Sequence, residues 1–179
     1  MRNLLTAGAL LMALAACSSN ADQNSDGKIS ADEASKEMAA GGAMKMKPGL
    51  WETKISFSKI EGKGIPETAK KQMLDAMGKG MTVKSCLTKE QTDKPGADFF
   101  GTPKDANCEY QQLDRTGSNM KVTMTCKPDG KTIVTSTMNG SFSDESYSMA
   151  MKQKTSGTPM GDMDMAGTIE GKRLGDCPA

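Results

Sequence analysis

Twelve residues near the start of the chain have the composition of a cation-binding loop. Asp22-Gln23-Asn24-Ser25-Asp26-Gly27-Lys28-Ile29-Ser30-Ala31-Asp32-Glu33 follows the EF-hand pattern position by position. Asp22, Asn24 and Asp26 supply side-chain oxygens at the first, third and fifth positions. Gly27 permits the sharp turn, and Lys28 offers its backbone carbonyl. Ile29 is the apolar eighth residue, Ser30 acts directly or through water, and Glu33 binds with both oxygens. Calcium, a hard cation, takes six to eight such oxygens. Only residues 18–21 separate the loop from Cys17, so no entering helix precedes it, and no second hand is visible. The expected affinity is therefore in the weak extracellular range, roughly 0.1–1 mM. The competing expectation is an acidic spacer that holds no metal.

Sulfur is the second candidate chemistry. The chain has 16 methionines, with Met-x-Met at 44–46, 149–151 and 163–165. Thioethers are soft ligands that select Cu(I). Alternate residues of a strand share a face, so Met149, Met151, Met163 and Met165 would converge if their strands paired in that register. The simpler expectation is core filling, because methionine packs irregular gaps and the chain has only four phenylalanines. Catalysis has little support. The chain has no histidine, which removes Ser-His-Asp and Cys-His nucleophiles and histidine-based zinc sites. Gly171-Lys172-Arg173 does not complete a phosphate loop, and no pair of carboxylates is singled out by spacing. A non-enzymatic protein is expected.

The first residues set the compartment. Met1-Arg2-Asn3 precedes an apolar run from Leu4 to Ala16, too short to span a bilayer, which needs about 20 residues. A basic start, an apolar run and small residues at its end describe a secretory signal. Leu14-Ala15-Ala16-Cys17 resembles a bacterial lipobox. The resemblance implies cleavage after residue 16 and acylation of Cys17, which would hold the protein on membrane lipid. By its likeness to enteric sorting signals, Ser18 after that cysteine points to the outer membrane, facing the periplasm. Four further cysteines, Cys86, Cys108, Cys126 and Cys177, make two disulfides in an exported chain, with three connectivities open. No C-x-x-C pair suggests a zinc site instead. Without Arg2, 22 basic side chains face 22 acidic ones. That balance, with no concentrated basic patch, argues against nucleic-acid binding.

Residues 17–47 form a polar tether containing the loop at 22–33 and a helix-compatible stretch from Ala31 to Ala40. The globular part is expected over 48–179. Trp51, Thr53, Ile55 and Phe57 alternate as on a half-buried strand, with Trp51, the only tryptophan, as a core anchor. Over 65–78 the period changes to four, through Ile65, Ala69, Met73 and Met77. Pro66 suits the first turn and Gly78 and Gly80 the end, which predicts a helix. Strands are expected again over 81–88, 108–113, 120–126, 131–138, 141–154 and 163–172. Turns are read at 115–119 and 128–130, and at Asn139-Gly140 as a two-residue hairpin. The stretch from 89 to 107 reads as a long loop. This pattern gives a mostly β, α+β domain: an antiparallel curved sheet or partly open barrel with one short helix, bonded by disulfides.

Pro48-Gly49-Leu50-Trp51-Glu52, Ser85-Cys86-Leu87-Thr88, the Cys108 and Cys126 hairpin and the ending Gly171-Lys172-Arg173-Leu174-Gly175-Asp176-Cys177 together resemble domain-of-unknown-function family 3617. The resemblance covers about 48–177 and implies an exported, disulfide-bonded, methionine-rich β domain. It implies no activity. The expected function is a membrane-anchored envelope module that binds an envelope partner, with weak calcium binding in the leader. The alternative is a carrier that holds a lipid or other apolar ligand in its curved sheet. Arg173, between Gly171 and Gly175, is expected to hydrogen-bond structurally near Cys177.

Overall fold

A computed structural model describes residues 21–22, 28–40, 46–93, 107–159 and 161–178. Cys17, expected to carry lipid, and Asn24 and Asp26, expected to ligate calcium, lie outside them. The elements in chain order are α1 (Ala31–Ala40), β1 (Gly49–Gly62), α2 (Glu67–Met77), β2 (Met81–Leu87), α3 (Lys89–Asp93), β3 (Cys108–Thr116), β4 (Asn119–Cys126), β5 (Ile133–Phe142), β6 (Ser146–Ser156) and β7 (Met163–Gly175). The seven strands form one open antiparallel sheet in the order β2-β1-β7-β6-β5-β4-β3. The expected mostly β, disulfide-bonded architecture is the one observed.

The alternation of side chains builds the sheet's two faces. Trp51, Thr53 and Ile55 of β1 sit in register with Ser85, Val83 and Met81 of β2. They also pair with Arg173, Gly171 and Ile169 of β7. These residues share one face, called inner here because the core cluster lies on it. Beyond Phe57 the register of β1 against β7 shifts. An extra residue in one strand reverses which side chains point inward, so Ile60 rather than Lys59 is buried. A second irregularity between Tyr110 and Gln112 turns both Tyr110 and Leu113 into the core.

The outer face is polar. Thr123 and Thr137, Thr125 and Thr135, and Ser56 and Thr168 exchange hydroxyl hydrogen bonds across strands at 3.3, 3.1 and 2.9 Å.

One turn departs from expectation. Asn139-Gly140 lies inside β5 rather than at a hairpin, because Asn139 and Gly140 pair with β4 on one side and β6 on the other. The reversal occurs at 143–145 instead, where the Ser143 backbone N–H donates to the Ser146 carbonyl at 2.7 Å. The first hairpin is tighter than expected, with Gly117 at φ 60° between β3 and β4. The turn at 128–130 holds as read. The Asp129 carboxylate accepts the backbone N–H groups of Lys131 and Thr132 and the Thr132 hydroxyl. These bonds, led by that of the Thr132 backbone, hold the Asp129 carboxyl below its usual range.

Cys86 bonds to Cys177 and Cys108 to Cys126. The first ties edge strand β2 to the chain end. The second joins directly opposed residues of β3 and β4.

Candidate functional site

The chemistry-bearing residues divide between the leader and the inner face. In the leader, Ser30 caps α1. Its backbone N–H donates to a Glu33 carboxylate oxygen at 2.8 Å, and the Glu33 N–H donates to the Ser30 hydroxyl at 3.2 Å. This reciprocal box fixes a helix start and orients Glu33, whose side chain is nearly buried. Ile29 forms an antiparallel bridge with Tyr110 of β3, with both N–H groups donating at 2.9 Å. The Lys28 ammonium pairs with Glu109 at 2.9 Å on the surface.

The segment read as a tether is therefore not extended over 28–40. Ile29, Ala34 and Met38 are buried in the same cluster as Tyr110, Leu113, Val122 and Met138. The Arg115 guanidinium donates to the Met38 carbonyl at 3.4 Å, at the far end of α1. Among the described residues, no group of three or more His, Cys, Asp or Glu side chains gathers to hold a metal. Of the calcium set, Asp22, Lys28, Ser30 and Glu33 are described.

The inner face does not bring the four copper-candidate methionines together. Met149 and Met151 stand opposite Ile169 and Gly167, whereas Met163 and Met165 stand opposite Thr155 and Gln153. All share one face, but Met149 and Met163 are offset by six residues, about 20 Å along the strands. Met151 and Met165 are diagonal neighbours. The direct partner of Met151 on its other side is Met138, which periodicity alone did not single out. Met138 and Met149 are buried in the core cluster, and Met151 packs against it.

Aromatic packing closes one end of this face. Trp51 is fully buried, donates its indole N–H to the Lys47 carbonyl at 3.0 Å and stacks on Tyr147 with ring centroids 5.8 Å apart. Phe142 follows at 5.6 Å from Tyr147. The Tyr147 ring crosses Gly171, where a Cβ would collide with it, and its hydroxyl reaches Thr53 at 2.7 Å. Only glycine admits that crossing. Burial pushes the Tyr147 phenol up from its ordinary pKa, with the Thr53 hydrogen bond opposing. Arg173 is structural, as expected. Its Nε donates to the Pro48 carbonyl at 2.9 Å and its guanidinium pairs with Asp176, beside Cys177.

The other end is open. Met81 and Val83 are 54% and 55% exposed on the inner face, and Ile55, Phe57, Met163 and Met165 are half-buried. α2 packs against β1 without burying any of its own residues fully. The sheet thus presents one apolar surface, sealed where the leader crosses it and accessible where β1 and β2 carry it to the edge. Such a surface can hold an apolar chain by burial.

No curated protein and no solved structure matches the chain. A family model does match, over residues 46–177, starting at the buried Met46 and ending at Cys177 of the Cys86–Cys177 disulfide. With that match across most of its length, the chain belongs to the family described as Protein of unknown function (DUF3617).

Proposed function

We propose that this protein is a non-enzymatic binding module of the bacterial cell envelope, held on the periplasmic side of the outer membrane through lipid on Cys17, whose β domain receives an apolar chain. The observation that carries this reading is the exposure of Met81 and Val83, each more than half accessible, on the face that elsewhere forms the core. Contiguous exposed apolar surface on a single chain marks an interaction or ligand site. A pocket of this kind is mostly apolar with few polar groups, and here Thr53, paired with Tyr147, borders it.

The test is native mass spectrometry of the mature, non-acylated chain exported to an oxidising compartment, followed by titration with a C16 fatty acid. Binding of one fatty acid is expected, and Val83→Asp should abolish it without changing the circular dichroism of the sheet. Equal binding by Val83→Asp, or none by either protein, would remove the carrier reading and turn the search to protein partners.

A second reading concerns the leader. The Ser30–Glu33 box starts a helix directly after the loop, and Ile29 at the eighth position is held by strand pairing. Both arrangements suit a loop whose last ligand is Glu33. We infer weak calcium binding by Asp22, Asn24, Asp26, Lys28, Ser30 and Glu33. One calcium mass, lost in Asp26→Ala, is the expected result; a calcium adduct that persists in Asp26→Ala would place the ion elsewhere.

A further inference from the structure

The family match begins at residue 46, yet the core cluster also takes in Ala21, Ile29, Ala34 and Met38 from before it. Ala21 stands immediately before Asp22. Ile29 is the eighth residue of the loop read at 22–33, and Ala34 and Met38 follow on α1. Ala21 and Ile29 are 5% and 7% exposed, so both flanks of the loop are seated in the core of the β domain.

The anchor at Ile29 is made by the backbone. Its N–H donates to the Tyr110 carbonyl and the Tyr110 N–H donates to the Ile29 carbonyl, both at 2.9 Å. Ile29 lies between two ligand positions, the Lys28 carbonyl and Ser30, and this pairing uses both of its backbone groups. Four residues further on, Glu33 is held by its box with Ser30. A carboxylate oxygen that accepts an N–H keeps acceptor capacity for a cation, so the box orients Glu33 and leaves it able to ligate. Glu33 is 9% exposed in this docked arrangement, and a bound cation offsets the cost of holding a carboxylate there. A lone half-hand lacks a neighbour to steady its backbone. Here edge strand β3 supplies one.

We propose that calcium in the leader is coupled to the docking of the leader on β3: the ion favours the docked arrangement, and docking raises affinity for the ion. The proposal rests on the calcium reading. Coupling of this kind is reciprocal. An ion that binds only the docked form multiplies the docked-to-undocked ratio by one plus its concentration over the dissociation constant. With a constant of roughly 0.1–1 mM, calcium at about 10 mM gives roughly a 10- to 100-fold shift.

Hydrogen exchange on the full mature chain, with calcium against chelator, tests the coupling without a variant. The amides of Ile29, of Tyr110 and of α1 are expected to slow at least about tenfold in about 10 mM calcium. Tyr110 is the most telling of them, because its N–H belongs to the family domain and bonds to the leader. A calcium titration followed by native mass spectrometry adds the reverse measurement. Met38→Asp alters no ligand and should weaken calcium binding at least about fivefold, whereas Val83→Asp, on the opposite edge strand, should leave it within about twofold. Unchanged exchange at these amides with calcium bound, an unchanged constant in folded Met38→Asp, or an equal loss in Val83→Asp would remove the coupling and leave the calcium site standing. Absence of calcium binding by the parent chain would remove the calcium reading itself, and this proposal with it.

Discussion

The two ends of the inner face follow the same alternation and meet different fates. On the β3 to β5 side, Tyr110, Val122 and Met138 are buried in one cluster with Ile29, Ala34 and Met38. On the β1 and β2 side, Met81 and Val83 occupy equivalent inward positions and stand open. The edges differ in parallel. β3 is bridged by the leader, whereas every β2 residue except Leu87 is exposed. Alternation therefore specifies which face a side chain takes; the cover over that face comes from elsewhere in the chain.

The largest expected effects lie in the disulfides that secure the two edges. Cys86–Cys177 closes a separation of 91 residues and Cys108–Cys126 one of 18. Chain entropy alone gives about 4.5 and about 3 kcal/mol respectively. Replacing the Cys86 and Cys177 pair by alanine should therefore lower stability in urea unfolding more than replacing Cys108 and Cys126. The opposite order would mean that the leader-capped edge depends on its cross-link more than its burial suggests.

A smaller effect compares one residue type across the two ends. Met138→Ala removes a side chain from the sealed core and should cost about 2–5 kcal/mol. Met81→Ala acts on the same face at 54% exposure and should change stability by no more than about 0.5 kcal/mol. If Met81→Ala cost as much as Met138→Ala, the open end would be covered in solution, and the contrast would fail.

Most of the sheet was legible from the sequence because its signals are local. Alternation at 51–57 and 120–126, the four-residue period at 65–77 and the glycine at 117 each act within a few residues. The Asn139-Gly140 signal misled because pairing on both sides of β5 overrode local turn preference. The inward turn of Ile60 was invisible, since a register shift is set by the partner strand. The offset between Met149 and Met163 was invisible for the same reason. The leader hid its role more completely. Ile29, Ala34 and Met38 read as a loop position and a polar helix, and only the bridge to Tyr110, 81 residues later, makes them core. The pairing of the cysteines likewise depends on contacts that spacing does not encode.

The smallest effect is read at the boundary between the two ends. Tyr147 stacks between Trp51 and Phe142 on the sealed side. Its hydroxyl meets Thr53 on the open side, beside Val83. Tyr147→Phe loses that hydrogen bond, at about 1 kcal/mol near neutral pH. The pH dependence separates burial from bonding. Burial raises the phenol's pKa in the folded state, so the folded protein keeps this proton after the unfolded chain has begun to lose it. The stabilising contribution is complete below the ordinary phenol value of about 10. It is lost as pH rises from there through the folded value, because the unfolded state then binds fewer protons. Unfolding measured between pH 8 and 11 should therefore show a steeper alkaline decline for the parent than for Tyr147→Phe. Parallel declines would mean that the phenol is hydrated, that water reaches past Thr53, and that the open end of the face extends one strand further than Val83 marks it.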